Sequence, residues 1–117
     1  MDTKLLSPKA HAVIDYALVC GLFVLPAVFD FNKSVKKIYA VEALVLLPYI
    51  ALTKQPLAAK GLIPFRTHGK IDPFNVAQFA IQSFFDPFRR TKKELVFNVA
   101  FTAIAGLTVI FTRWNEK

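Results

Sequence analysis

His11-Ala12-Val13-Ile14-Asp15 recurs 57 residues later as His68-Gly69-Lys70-Ile71-Asp72. Phe29-Asp30 recurs as Phe85-Asp86 and Lys36-Lys37 as Lys92-Lys93, both 56 residues on. Leu52-Thr53-Lys54 is answered by Phe111-Thr112-Arg113. Each copy therefore reads as a polar entry with His and Asp, an apolar stretch, a charged turn, a second apolar stretch and a Thr-basic exit. Two copies of a helical hairpin predict four helices related by an internal pseudo-two-fold, with recurring residues at equal depth and facing one another. Because each copy holds two helices, the copies run parallel, and helices 1 and 3 start on the side that also holds both termini.

The 117 residues suffice for one domain, 55% of them apolar and twelve of them Phe. The charges gather at 33–37, 54–70, 89–94 and 113–117, leaving long stretches with few charges between them. That is the pattern of membrane helices separated by wet loops. A net charge of +7 then reads as loops facing anionic headgroups. Nucleic acid is a poor fit, because the basic residues flank apolar segments and form no recognition helix. The lone Cys20 excludes a disulfide framework and reads as a buried, unreactive thiol.

Ser7-Pro8 opens helix 1, Ser as N-cap and Pro at the first helical position. The helix runs to about 29 and is retained, since Asp15 interrupts any signal-peptide core. Asp30 to Ser34 form the turn, with Ser34 as cap, and helix 2 runs over about 35–52. The connector over about 54–66 mixes Lys54, Lys60 and Arg66 with Leu57, Leu62 and Phe65, which suits a segment lying along headgroups. Helix 3 reads as about 67–86, and Pro73 inside it should kink it. Helix 4 runs over about 93–112, followed by Trp114 as an interfacial anchor. The chain is thus one transmembrane domain, repeat 1 at about 8–54 and repeat 2 at about 67–113.

Asp72, Asn75, Gln78, Gln82 and Asp86 fall within a third of helix 3's circumference, and such a stripe should face other helices rather than lipid. Glu42, inside helix 2 and aligned with Asn98 of helix 4, is expected to hydrogen-bond Gln78, Gln82 or Asn98; a proton or ion relay is the alternative. The charged turns at 30–37 and 86–94 read as solvated. His11/Asp15 and His68/Asp72 are each i, i+4 pairs on one helix face, and the repeat brings all four toward one membrane surface. Two imidazoles and two carboxylates can ligate zinc or a non-haem metal, and two His at equal depth can hold a haem. The plainer reading is an interfacial His hydrogen-bonded to a carboxylate in each copy. No phosphate loop, nucleophile elbow, HExxH or CxxC motif is present, so nothing argues for an enzyme.

Ser7-Pro8-Lys9-x-His11-x-x-x-Asp15-Tyr16, with Leu25-Pro26 near the end of helix 1, and Leu52-Thr53-x-x-Pro56-Leu57-x-x-Lys60-x-x-Ile63-Pro64-Phe65-x-x-His68-Gly69-x-Ile71 resemble small bacterial membrane proteins of the SPW-repeat kind. The resemblance covers nearly the whole chain and implies a four-helix membrane fold with no assigned activity. The chain departs from the pattern at Pro73 and in the polarity of helix 3. The sequence reading is an all-α, integral membrane four-helix bundle of two parallel hairpin repeats, multi-pass in the cell membrane. Its role reads as structural or accessory, without a cofactor. The lipid bilayer is its partner, with a second copy or another membrane protein as further candidates. The alternatives are a metal- or haem-linked redox component built on the His/Asp cluster and a proton or small-solute pathway along helix 3.

Overall fold

The computed structural model describes residues 5–114. The acidic and basic residues at 115–117, part of the last charge cluster read from the sequence, lie outside the described residues. The chain forms α1 (Pro8–Val28), α2 (Lys33–Ala51), α3 (Phe65–Gln82), the single turn α4 (Asp86–Arg89) and α5 (Lys92–Phe111). Among the described residues there is no β-strand, only two isolated bridges, Leu6 with Thr112 and Thr53 with Ile63. Each ties a residue just before a His-bearing helix to the exit of another helix, Leu6 before α1 to the end of α5 and Ile63 before α3 to the end of α2.

The helices begin where local chemistry supplies the missing acceptors for their first N–H groups. Ser7 Oγ accepts from Ala10 N at 3.1 Å, with Pro8 in the first turn. For α2 the cap is Asn32, whose Oδ1 accepts from Val35 N at 3.0 Å, and not Ser34, which lies within the helix. The turn between them passes through Asp30 in the left-handed region (φ 52°), one of the few non-glycine types that tolerates it. Helix 3 was expected over 67–86. It starts two residues earlier and stops at Gln82, and the residues that follow form the separate α4, with Pro87 in its first turn. Pro73 is accommodated at an exposed position inside α3.

α1 packs along α2, α3 along α5, and α1 also meets α5. The apolar core runs through Val19, Leu22, Val35, Tyr39, Ala43, Ile50, Phe79, Phe88 and Phe101. Much of the rest of the interior is polar: His11, Thr53, His68, Asp72, Gln82, Glu94, Asn98 and Thr112 are all buried. Large apolar side chains cover the outside, among them Val28, Leu44, Val45, Phe74, Phe84, Val96 and Ile110. Cys20 belongs to this outer surface and is exposed, not buried as expected, because α1 turns that face away from α2 and α5. By length and composition two helices, α1 and α5, can cross a membrane. α2 and α3 fall short of that measure; α2 carries Lys33, Lys36, Lys37 and Glu42, and α3 carries the polar stripe.

Candidate metal centre

The i, i+4 spacing within α1 places His11 and Asp15 on one face, and the same spacing within α3 does so for His68 and Asp72. The bundle turns both faces inward at one end, so the two pairs meet. Both imidazoles are 1% exposed. His11 Nε2 lies 3.0 Å from Asp15 Oδ2 and 3.1 Å from Asp72 Oδ2; His68 Nε2 lies 3.2 Å from Asp15 Oδ2 and 3.0 Å from Asp72 Oδ2. The four atoms thus form a closed ring in which nitrogen and oxygen alternate, all of them within 4.8 Å of one another. With such edges and a longest separation of 4.8 Å, the centre of a flat ring lies about 2.0–2.4 Å from the four atoms, close to the ~2.0–2.2 Å of metal–nitrogen and metal–oxygen bonds.

The expectation that each His hydrogen-bonds an Asp holds only for His11, which aligns with Asp72 across the two hairpins. His68 Nε2 is buried and aligns as a hydrogen bond with no acceptor, although two carboxylate oxygens lie close. Both carboxylates approach it off the ring-nitrogen axis.

The far side of each ring fixes the tautomer. Thr112 Oγ1 donates to Thr108 O, so its contact with His11 Nδ1 at 2.7 Å must be one in which the imidazole N–H donates. Thr53 Oγ1 likewise donates to Tyr49 O and accepts from His68 Nδ1 at 2.7 Å. Nδ1 therefore carries a proton in both rings, and in the neutral ring Nε2 presents a lone pair to the centre. Such outer hydrogen bonds orient ligand imidazoles in metal sites. The pairing is crossed: the His of each hairpin leans on the Thr that closes the other.

Tyr49 completes the inner side. Its hydroxyl lies 2.9 Å from Asp72 Oδ1 and 3.0 Å from His68 O, and its ring stacks on His68 at 4.2 Å between centroids. Phe65 and Trp114 close the outer side, Trp114 lying 4.8 Å from His11 and 4.8 Å from Phe65 between ring centroids. Trp114 Nε1 donates to Val109 O at 3.0 Å, which pins the indole over the cluster. Gly69 makes room for it, since a Cβ there would lie 2.6 Å from the indole. Trp114 thus covers the His pair.

The remaining polar residues form a second group. Glu42 accepts from Gln78 Nε2 and Gln82 Nε2, as the sequence suggested. Asn98 is the hub: it accepts from Tyr39 at 2.7 Å and Gln82 at 2.8 Å, and donates to Phe79 O and Ser83 Oγ. Asn75 belongs instead with the His/Asp cluster, its Nδ2 standing 3.5 Å from Asp72 Oδ1. Gln82 and Asp72 are buried, whereas Gln78 is exposed in the groove between α2 and α3, a departure from the expected inward stripe. The contact between Phe79 and Phe101, 4.9 Å between centroids, separates the two polar groups.

The turn residue Glu94 was read as solvated, yet it is 1% exposed and accepts from Asn32 N, Asn32 Nδ2 and Thr91 Oγ1. Thr91-Lys92-Lys93-Glu94 has the spacing of a capping box, the signal that could have revealed it. Sequence reasoning also missed Tyr49, Phe65 and the roles of Thr53 and Thr112, although the recurrence of those Thr was visible. No family model, no curated protein and no solved structure matches the chain.

Proposed function

We propose that this chain is a small multi-pass membrane protein of two parallel hairpin repeats that binds one divalent first-row transition ion between His11, Asp15, His68 and Asp72. The observation that carries the reading is the alternating ring of two Nε2 and two Oδ2 atoms with edges of 3.0–3.2 Å. Two imidazoles with two carboxylates suit zinc, iron, cobalt or nickel. Two carboxylates neutralise a divalent charge, which offsets much of the cost of holding ions in a low-dielectric interior. The ion would tie α1 to α3, helices that are not among the closely packed pairs, so it acts as a clip between the hairpins. A porphyrin is disfavoured, because the two carboxylate oxygens stand between the imidazoles where its plane would lie.

Membrane residence is supported by the apolar length of α1 and α5 and by an exterior rich in large apolar side chains around a core in which buried polar residues stand beside the apolar ones. The resemblance to SPW-repeat proteins favours the same architecture. The crossed Thr–His pairs and the two matching bridges support the repeat. A proton pathway along α3 has less support, since its polar groups bond one another in two separate sets.

Trp114, the single tryptophan of the chain, is the reporter for the test. Purified protein in detergent, titrated with Co(II), Ni(II) or Fe(II), is expected to retain one ion per chain and lose Trp114 emission. His68→Ala and Asp72→Ala should weaken retention at least a hundredfold. Chain that retains no ion above the level of a His11→Ala/His68→Ala double variant overturns the reading.

A further inference from the structure

A cavity of about 50 Å³ lies between all four long helices, directly behind the carboxylates of the His/Asp ring. Asp15 and Asp72 form part of its wall; His11 and His68 do not. Tyr49 and Asn75 stand beside Asp72, and the rest of the lining is apolar, with Phe79 and Phe101 among it. On the other side of the ring Phe65 and Trp114 cover the imidazoles.

The protein offers four ligand atoms. Asp72 Oδ1 is engaged by Tyr49, so that carboxylate binds through one oxygen. Iron and cobalt commonly take five or six ligands, which leaves positions for an outside ligand, and the adjoining space is the cavity. Its volume holds about three to five water-sized groups, room for a small molecule, given that one water needs roughly 10–15 Å³ on the same measure. Charge narrows the class further. A divalent ion with two carboxylates is already neutral, so an anion entering an apolar-walled space carries an unbalanced charge and loses its hydration. A neutral diatomic does neither.

Resting on the metal reading above, we infer that the ion keeps an exchangeable position open to this cavity and takes a neutral diatomic ligand there. The step is ligation alone: a coordinate bond forms from the diatomic to the ion and a water leaves. Size, set by Ala105, Val109 and the two Phe, and charge, set by the ion with the carboxylates of Asp15 and Asp72, determine what enters.

The test uses the full chain in detergent, loaded anaerobically with Fe(II), with nitric oxide and azide as probes. Quenching of Trp114 reports the ion, and the EPR signal of an iron nitrosyl reports the ligand. Nitric oxide should give a stoichiometric signal, while azide leaves the spectra unchanged. Ala105→Leu, which fills the cavity, should keep the quenching and weaken the nitrosyl at least tenfold; Val109→Phe serves the same end if that variant does not fold. Fe(II) bound with no nitrosyl, a nitrosyl indifferent to both filling variants, or azide binding as well as nitric oxide overturns this inference and leaves the metal reading standing. Failure of every ion to bind overturns the metal reading itself, and failure of Fe(II) alone overturns the diatomic class.

Discussion

His11 Nδ1 lies 2.7 Å from Thr112 Oγ1, a partner 101 residues away that terminates the last helix. Because Thr112 spends its own proton on Thr108 O, the contact both orients the imidazole and holds its proton on Nδ1. Thr112→Val should therefore keep the fold and lower metal affinity by about 10–100-fold, the usual cost of losing an outer partner of a ligand imidazole. Thr53→Val should do the same through His68. Equal affinity in wild type and both variants, read from Trp114 quenching, would show that the imidazoles are not ligands.

Metal binding should weaken on acidification. The ligating forms are neutral imidazole and ionised carboxylate, so protons compete with the ion, and two imidazoles give a fall of about a hundredfold per pH unit once both protonate. The window in which binding is retained lies above the imidazole titration and binding is lost below it. Titrations with Co(II) at successive pH values spanning the imidazole titration check both the direction and the two-proton slope.

Gly69→Ala should displace Trp114. The added methyl would lie 2.6 Å from two indole carbons, closer than any relaxed contact, and the neighbour is a pinned ring rather than a flexible chain end. A cost of about 1–3 kcal/mol is expected for such overpacking. Emission should shift to the red and become open to an aqueous quencher. An unchanged spectrum would mean that the indole does not cover the cluster.

Asn98→Leu should destabilise the other end of the bundle. It removes the partner of the Tyr39 hydroxyl and of Ser83 Oγ and one partner each from Gln82 Nε2 and Phe79 O, with a penalty of about 1–3 kcal/mol for each buried group left without a partner. Gln78→Leu, at an exposed position, takes one partner each from Glu42 and Gln82 and should cost less than Asn98→Leu. Unfolding in mixed micelles under increasing SDS measures the contrast, and similar losses for the two variants would contradict it.

Cys20 tests insertion. It sits on the outer face in the middle of α1, so in sealed vesicles a charged maleimide should leave it unmodified, while the same reagent should modify it after detergent is added. Rapid modification in intact vesicles would place that face of α1 in water.

How much of this was legible beforehand depended on whether the signal was local. Ser7-Pro8, the helix order and the His/Asp spacing are properties of a few neighbouring residues, and the structure matches them. Meeting of the two His/Asp pairs was an expectation from the repeat, and the distances of 3.0–3.2 Å between them agree with it. For Glu94 the capping-box contact with Thr91 was local, but the bonds from Asn32 that bury it were not, because Asn32 is 62 residues away in the other hairpin's turn. Asn32 outcompeted Ser34 as the cap of α2 through its own helix and serves Glu94 as well, a double role that no window of sequence contains. Cys20 was misplaced because α1 is apolar nearly all round, so periodicity could not say which face turns inward.

The crossing of threonines has an implication for ancestry. Each hairpin contributes one imidazole, one carboxylate and one hydroxyl, and the hydroxyl serves the other hairpin's imidazole. One such hairpin paired with a copy of itself would supply the complete ligand set on a true dyad, from a gene half as long. Under such a descent, fusion of two such genes would free the halves to diverge wherever the dyad does not constrain them, as at Glu42 opposite Asn98 and Val13 opposite Lys70.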